Sequence, residues 1–225
     1  MNTPTAKAGA GRPKLGYHLK DGSRVPSVTT IISRFKDSGG LIHWAWDLGT
    51  QGKDYREERD RAADAGSAAH AAVEASIHGK EWDWDTVADP ETRTKAKSSF
   101  GAFQEWRQQT NLQITQTEMP LTSETYRFGG TFDAILVQQQ RSIGDWKTSN
   151  AIYGDYLIQI AAYGKLWQEN FPDDPIKGGF HLLRFDKTYG DFSHRWWAEL
   201  DKAWEAFLHL RALYEIEKEL KARAK

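Results

Sequence analysis

The chain contains no cysteine, which excludes disulfides, thiolate zinc sites, cysteine-held iron–sulfur clusters and cysteine nucleophiles. Any metal it binds must rest on oxygen and imidazole ligands. No apolar run approaches the roughly 20 residues that span a bilayer, and no continuous apolar segment of a secretory signal stands at the N-terminus. The expected address is the cytoplasm, with no membrane partner. An excess of one charge is missing too: 30 basic against 31 acidic residues leave a formal net charge of -1. Whole-molecule attraction to a polyanion is therefore not supported, and DNA would need positive charge segregated into a groove.

What is present is a chain of 225 residues with 10 Trp, 8 Tyr and 10 Phe, long enough to bury a substantial core as one compact unit. A mean hydropathy of -0.69 assigns much of the remainder to solvated helix faces.

Met1 to Lys14, rich in Ala, Gly, Pro and Thr, reads as a mobile tail. Its Gly11-Arg12-Pro13-Lys14 is a weak minor-groove match beside the solvated-tail reading. Tyr17 to Val25 fits a short hairpin around Asp21-Gly22, and Ser27 is placed to cap a helix over Val28 to Phe35. Gly39-Gly40 should break the chain before a short apolar helix with Trp44 and Trp46. Core packing is the expected role of both indoles, with stacking on unpaired bases as the alternative. A longer helix from Tyr55 to Ile77 is charge-dense first and Ala-rich around His70. Another follows from Pro90 to Gln109 with Phe100, Phe103 and Trp106 as its stripe. From Leu112 the pattern changes to three short strands, then a helix over Asp155 to Asn170, two strands at Gly179 to Phe185 and Phe192 to Trp197, and a closing helix. No internal repeat or dividing linker is evident.

Gly129 to Lys147 carries the chemistry. In GTFDAILV a period of two places Asp133, Ile135 and Val137 on one face and Phe132, Ala134 and Leu136 on the other, so both faces read as buried. A carboxylate in such a strand is costly unless paired or bound to a cation; alone, Asp133 would read as an Asp satisfied by backbone amides. The next strand, however, carries Asp145 and Lys147 two residues apart and on one face. Converging carboxylates repel unless a cation sits between them, and an oxygen-rich site suits Mg²⁺ or Mn²⁺. Lys147 could hold a phosphate oxygen or position a water; an ordinary salt bridge is its other reading.

Asp133, then Asp145-Trp146-Lys147, then Gln159 to Tyr163 resembles the PD-(D/E)XK nuclease superfamily, specifically its RecB-type exonuclease branch with a QxxxY motif. Gly66 to His70 resembles that branch's GxxxH element, and Glu118 the acidic residue of its first core strand. Pro26 to Thr29 is similar to the start of phage exonucleases and of the mitochondrial genome maintenance exonuclease. Phe132 stands where many members have Pro, a departure common in this branch. The resemblance implies an α/β fold with a restriction-endonuclease-like core, a mixed central sheet flanked by helices, and a helical N-terminal elaboration. Residues 15–225 would form one nuclease domain, helical to about residue 110, after a flexible tail over 1–14.

The resemblance further implies that His70, Asp133, Asp145 and the main-chain carbonyl of Trp146 bind one or two Mg²⁺ or Mn²⁺ ions. Glu118 would assist, with Glu124 as its nearby rival and Glu74 left outside the set. Lys147 would act on the water, and Gln159, Tyr163 and Thr148 would meet DNA. The implied activity is hydrolysis from a DNA end to 5′-phosphate and 3′-hydroxyl products, in recombination, repair or replication. A phage setting and a single-strand-annealing partner belong to the same resemblance. A structure-specific endonuclease and a catalytically silent DNA-binding partner are the alternatives. Lys53, Arg56, Arg59 and Arg61 are candidates for lining the channel, and the remaining histidines are read as structural.

Overall fold

A computed structural model describes residues 11–36 and 38–224. A small hairpin, β1 (Tyr17–His18) and β2 (Arg24–Val25), opens the chain, with Gly22 at φ 82 in its turn, a conformation glycine adopts without a Cβ penalty. Helix α1 (Val28–Arg34) starts where the Ser27 side chain accepts the Thr30 N–H, satisfying one of the orphan donors of a helix start. Then come α2 (Gly39–Thr50) and α3 (Tyr55–Ile77), the latter capped by Asp54. A single 3-10 turn at Trp84–Thr86 leads to α4 (Pro90–Gln109), which begins with an Asp89 cap and Pro in its first turn.

Five strands follow in one sheet: β3 (Gln113–Ser123), β4 (Phe128–Val137), β5 (Arg141–Lys147), β6 (Phe180–Phe185) and β7 (Phe192–Trp197). Their spatial order is the chain order, and all neighbours are antiparallel except β5 and β6. A parallel pair needs a crossover, supplied by α5 (Gly154–Asn170); α6 (Asp201–Arg223) closes the chain.

The sheet separates two apolar layers. On one side Ile135, Ile143 and Leu182 pack with α1, α5 and α6 through Ile31, Ile160, Leu166 and Phe207. On the other, Leu136, Trp146 and Leu183 pack with α3 and α4 through Val73, Phe103 and Trp106. Burial of each such side chain contributes about 1.5–3 kcal/mol. The rings of Phe103, Trp106, Trp146 and Phe185 lie with centroids 5.6–6.2 Å apart, so the strand that carries Asp145 is anchored by the indole next to it.

Three expectations are corrected. Gly39-Gly40 does not break the chain but forms the first turn of α2. Trp46 is not in the core: it is 64% exposed, with Leu41 and Ile42 also exposed. Only Leu48 of α2 is buried, because this helix touches the body on a narrow face. Strict alternation along β4 fails as well. Phe132 and Ile135 share one apolar cluster while Ala134 and Leu136 share the other, so the strand switches faces beside Asp133. Of the sequence-predicted tail, residues 1–10 lie outside the described residues, and the Gly11 N–H donates to the Glu118 carbonyl at 3.0 Å.

Candidate active site

Strand register gathers the acids. Thr117 pairs with Ala134 and Met119 with Phe132, so Glu118 stands opposite Asp133. Ala134 pairs with Gly144 as the last β4–β5 pair, so Asp133 and Asp145 come next, and three carboxylates form a row across three strands. The ladder opens there. The Trp146 N–H finds no β4 carbonyl and donates instead to Asp133 Oδ2 at 2.6 Å. Glu118 lies at φ 45, a left-handed conformation that costs a non-glycine residue about 1–3 kcal/mol and recurs at functional positions. One Glu118 oxygen, one Asp133 oxygen and one His70 nitrogen all lie within 4.8 Å of one another.

Asp145 is buried and faces Lys147, whose Nζ lies 2.5 Å from Asp145 Oδ2. That contact is an ion pair without hydrogen-bond geometry, and Oδ2 has no hydrogen-bond partner. Lys147 Nζ donates to Gln159 Oε1 at 3.2 Å, and the Gln159 amide donates to Tyr163 Oη at 2.9 Å and reaches Asp145 Oδ1 at 3.5 Å. The lysine also sits 4.8 Å above the Tyr156 ring centre, a cation–π arrangement.

Burial dominates the titration. It raises Glu118 to about 8, with Asp133, Glu74 and Asp145 adding repulsion. It raises Asp145 to about 7 although Lys147 pulls the other way, and it raises Asp133 against the pull of Lys147 and the Trp146 N–H. For Lys147 burial works downward, but Asp145 and Asp133 outweigh it and the ammonium is held above its ordinary value. The two ends of the ion pair thus respond differently: one cation faces several anions, so the lysine is compensated and the carboxylates are not. His70 falls to about 4 through burial and the Lys147 charge, opposed by Asp145 and by its hydrogen bond to the Trp146 backbone. It is neutral at pH 7, as a metal ligand must be.

Two helices bring the remaining side chains in because glycines let them approach. A Cβ at Gly66 would lie 2.9 Å from Thr148 Oγ1, so α3, and with it His70, sits directly against the end of β5. A Cβ at Gly130 would lie 2.6 Å from the Tyr163 ring, so Tyr163 packs closely on β4. Gln159 and Tyr163 touch the active-site strand and each other.

The sequence-predicted residues His70, Glu118, Asp133, Asp145, Lys147, Gln159 and Tyr163 thus converge, with Thr148 against α3. Glu124 does not join them; it accepts the Lys20 N–H at 2.9 Å. Arg61 is held by Glu58 and Arg59 by Asp60, so their charge is already answered. His181 and His194 form a hydrogen-bonded pair at 2.8 Å. Sequence reasoning passed over Tyr156, although positions 156, 159 and 163 share one helix face. It also left aside Glu74, which accepts from Thr117 at 2.7 Å and contacts His78 at 2.8 Å beside Glu118.

Among solved structures the chain is similar to an alkaline exonuclease from Laribacter hongkongensis. The identity is 14% over 73% of this chain and 92% of that one, with a TM-score of 0.35. The same enzyme with dAMP bound gives 14% identity, the same coverage and a TM-score of 0.37. A Eubacterium rectale protein assigned as an exonuclease gives 13% identity over 81% of this chain and 66% of that one, with a TM-score of 0.40. No curated protein matches. Residues 9–222 match the sequence profile of the PD-(D/E)XK nuclease superfamily, and the chain belongs to that superfamily.

Proposed function

We propose that the protein is a divalent-cation-dependent deoxyribonuclease acting from DNA ends and leaving 5′-phosphate and 3′-hydroxyl products. The observation that carries this reading is the row Glu118–Asp133–Asp145 with Lys147 clamped at its end between Asp145 and Gln159. Buried carboxylates with raised proton affinity, two of them grouped with His70 within 4.8 Å, fit a cation. His70, Asp133, Asp145 and the Trp146 carbonyl would hold it, with Glu118 beside them. Bound there, Mg²⁺ or Mn²⁺ supplies charge to the scissile phosphate and lowers the proton affinity of water.

This chain's own residues do the positioning. Lys147, fixed from three sides by Asp145, Gln159 and Tyr156, presents its ammonium to the water and favours its deprotonation. Gln159 keeps that ammonium from collapsing further onto Asp145, and Tyr163 holds Gln159. The helical part up to about residue 110 and the αβ core act as a single domain, with α3 delivering His70 over the sheet. Work in DNA recombination, repair or replication, in a phage or cellular cytoplasmic setting and alongside a strand-annealing protein, follows from the same reading.

The test compares linear with covalently closed circular DNA in Mg²⁺ and Mn²⁺. Digestion of the linear form alone is expected; nicking of the closed circle would make the enzyme an endonuclease. Tight DNA binding without cation-dependent turnover would make it a silent binding partner.

A further inference from the structure

We propose that Arg12, Arg24 and Arg127 form an anion groove that holds backbone phosphates of the DNA substrate. The proposal rests on the nuclease reading above and adds where the substrate runs. The three arginines line one groove together with Tyr17, and all three are exposed. Among the described residues none of them forms an ion pair, whereas Arg61, Arg93, Arg141 and Arg184 are each held by a carboxylate. Of the other charges in the groove, Arg211 is paired with Glu215 at 2.7 Å, and Lys218 and Glu219 cancel in formal charge. The surplus is three guanidinium groups on a protein whose formal net charge is -1. Three such cations share this one groove, whereas on α3 Arg59 and Arg61 are already paired.

Two contacts tie the wall of the groove to the strands that carry the candidate active site. Gly11, next to Arg12, donates its N–H to the Glu118 carbonyl at 3.0 Å. Tyr17 donates to or accepts from Thr131 at 2.9 Å, two residues before Asp133, and a Cβ at Gly129 would lie 2.3 Å from the Tyr17 ring. Contacts with neutral groups hold two of the arginines in place, and the nearby Asp21 carboxylate feels the Arg127 charge. Arg24 lies over Gly16, whose added Cβ would be 3.1 Å from Nε. Arg127 donates to Ser23 Oγ at 3.1 Å. Among the described residues only Glu118 and Arg127 are non-glycines at positive φ, so the two strained positions sit one in the acidic row and one in this groove. Guanidinium forks match phosphate oxygens, and such contacts position a strand without reading its sequence.

The experiment measures binding of a labelled single-stranded oligonucleotide and of its duplex by fluorescence anisotropy, in EDTA so that nothing is cleaved, across a range of salt. Replacing Arg12, Arg24 and Arg127 together by Gln should weaken binding about 100-fold at about 0.1 M salt. It should also flatten the dependence of log K on log salt by about 2–3, one phosphate being lost per arginine. Replacing the exposed Arg107, Arg195 and Arg223 by Gln removes the same charge elsewhere and should leave the slope unchanged. An unaltered slope in the groove variant, an equal loss in the charge-matched variant, or inorganic phosphate binding to the groove without competing with DNA would each overturn the proposal. Thermal melting of every variant separates lost binding from lost fold, and single Arg→Gln changes take over if the triple variant melts early. If the wild-type protein binds with the expected slope but cleaves nothing, the groove stands and the nuclease reading fails. If it cleaves and the slope does not move, the reverse holds.

Discussion

At the scale of single residues, Asp145 and Lys147 depend on one another in a way that a surface ion pair does not. Asp145 is 1% exposed and is raised to about 7 despite a 2.5 Å ammonium, so burial outweighs even a contacting cation. Lys147→Ala and Asp145→Asn are each expected to lower the rate of end-labelled DNA cleavage by about 10²–10⁴-fold, with the circular dichroism spectrum retained. Full activity in either variant removes the site. These residues were legible because a period of two puts positions 145 and 147 on one face whatever the rest of the sheet does. The choice of Glu118 over Glu124 was not legible. It depends on β3 pairing with β4 so that Glu118 meets Asp133, and on a left-handed residue inside a strand, which no propensity would place at a glutamate. Tyr156 was hidden for another reason: its role is to lie under a lysine from a different element.

At the scale of elements, helices announced themselves by caps and periodicity. Ser27, Asp54 and Asp89 each accept a backbone N–H at the predicted start of a helix. The exposure of α2 did not, because an apolar helix reads as buried until one knows how few neighbours it has. The face switch in β4 was equally invisible, since it follows from the opening of the ladder between Asp133 and Asp145 and not from local pattern. Helix α5 illustrates how an element carries a site. Its approach to β4 requires glycine at 130, where any Cβ would stand 2.6 Å from the Tyr163 ring. Gly130→Ala should therefore cost about 1–3 kcal/mol and lower the melting temperature by about 2–4 °C per kcal/mol in a chain of this size. Because Tyr163 bonds Gln159, which bonds Lys147, cleavage should fall as well. Gly101→Ala, on α4 with open space around it, is the control that should leave both unchanged. A Gly130→Ala protein with wild-type melting would mean that α5 can slide without consequence.

At the scale of the whole molecule, the acidic row is a buried like-charge cluster whose cost the pH dependence of stability should report. Glu118 near 8 and Asp145 near 7 keep protons in the folded state that the unfolded chain has already released, since ordinary carboxylates titrate near 4. Stability contributed by these groups is present at low pH and is lost as pH rises toward 8. His70 and His181, both lowered to about 4, act in the opposite sense: they destabilise as pH falls below the ordinary imidazole value of about 6.5. The two effects oppose each other up to about pH 7, whereas between about pH 7.5 and 8.5 the carboxylates dominate. In EDTA the melting temperature should therefore fall across that interval, and Glu118→Gln should flatten the fall. If Mn²⁺ or Mg²⁺ binds the deprotonated row as proposed, its stabilisation should be larger at pH 8 than at pH 6. At a hundredfold excess over Kd it should reach about 2.7 kcal/mol, or about 5–10 °C for a chain of this length. A melting temperature in EDTA that is flat or rising from about pH 7.5 to 8.5 would mean that the row does not hold its protons, and a cation effect that grows toward acid would mean that the three carboxylates do not share the cation.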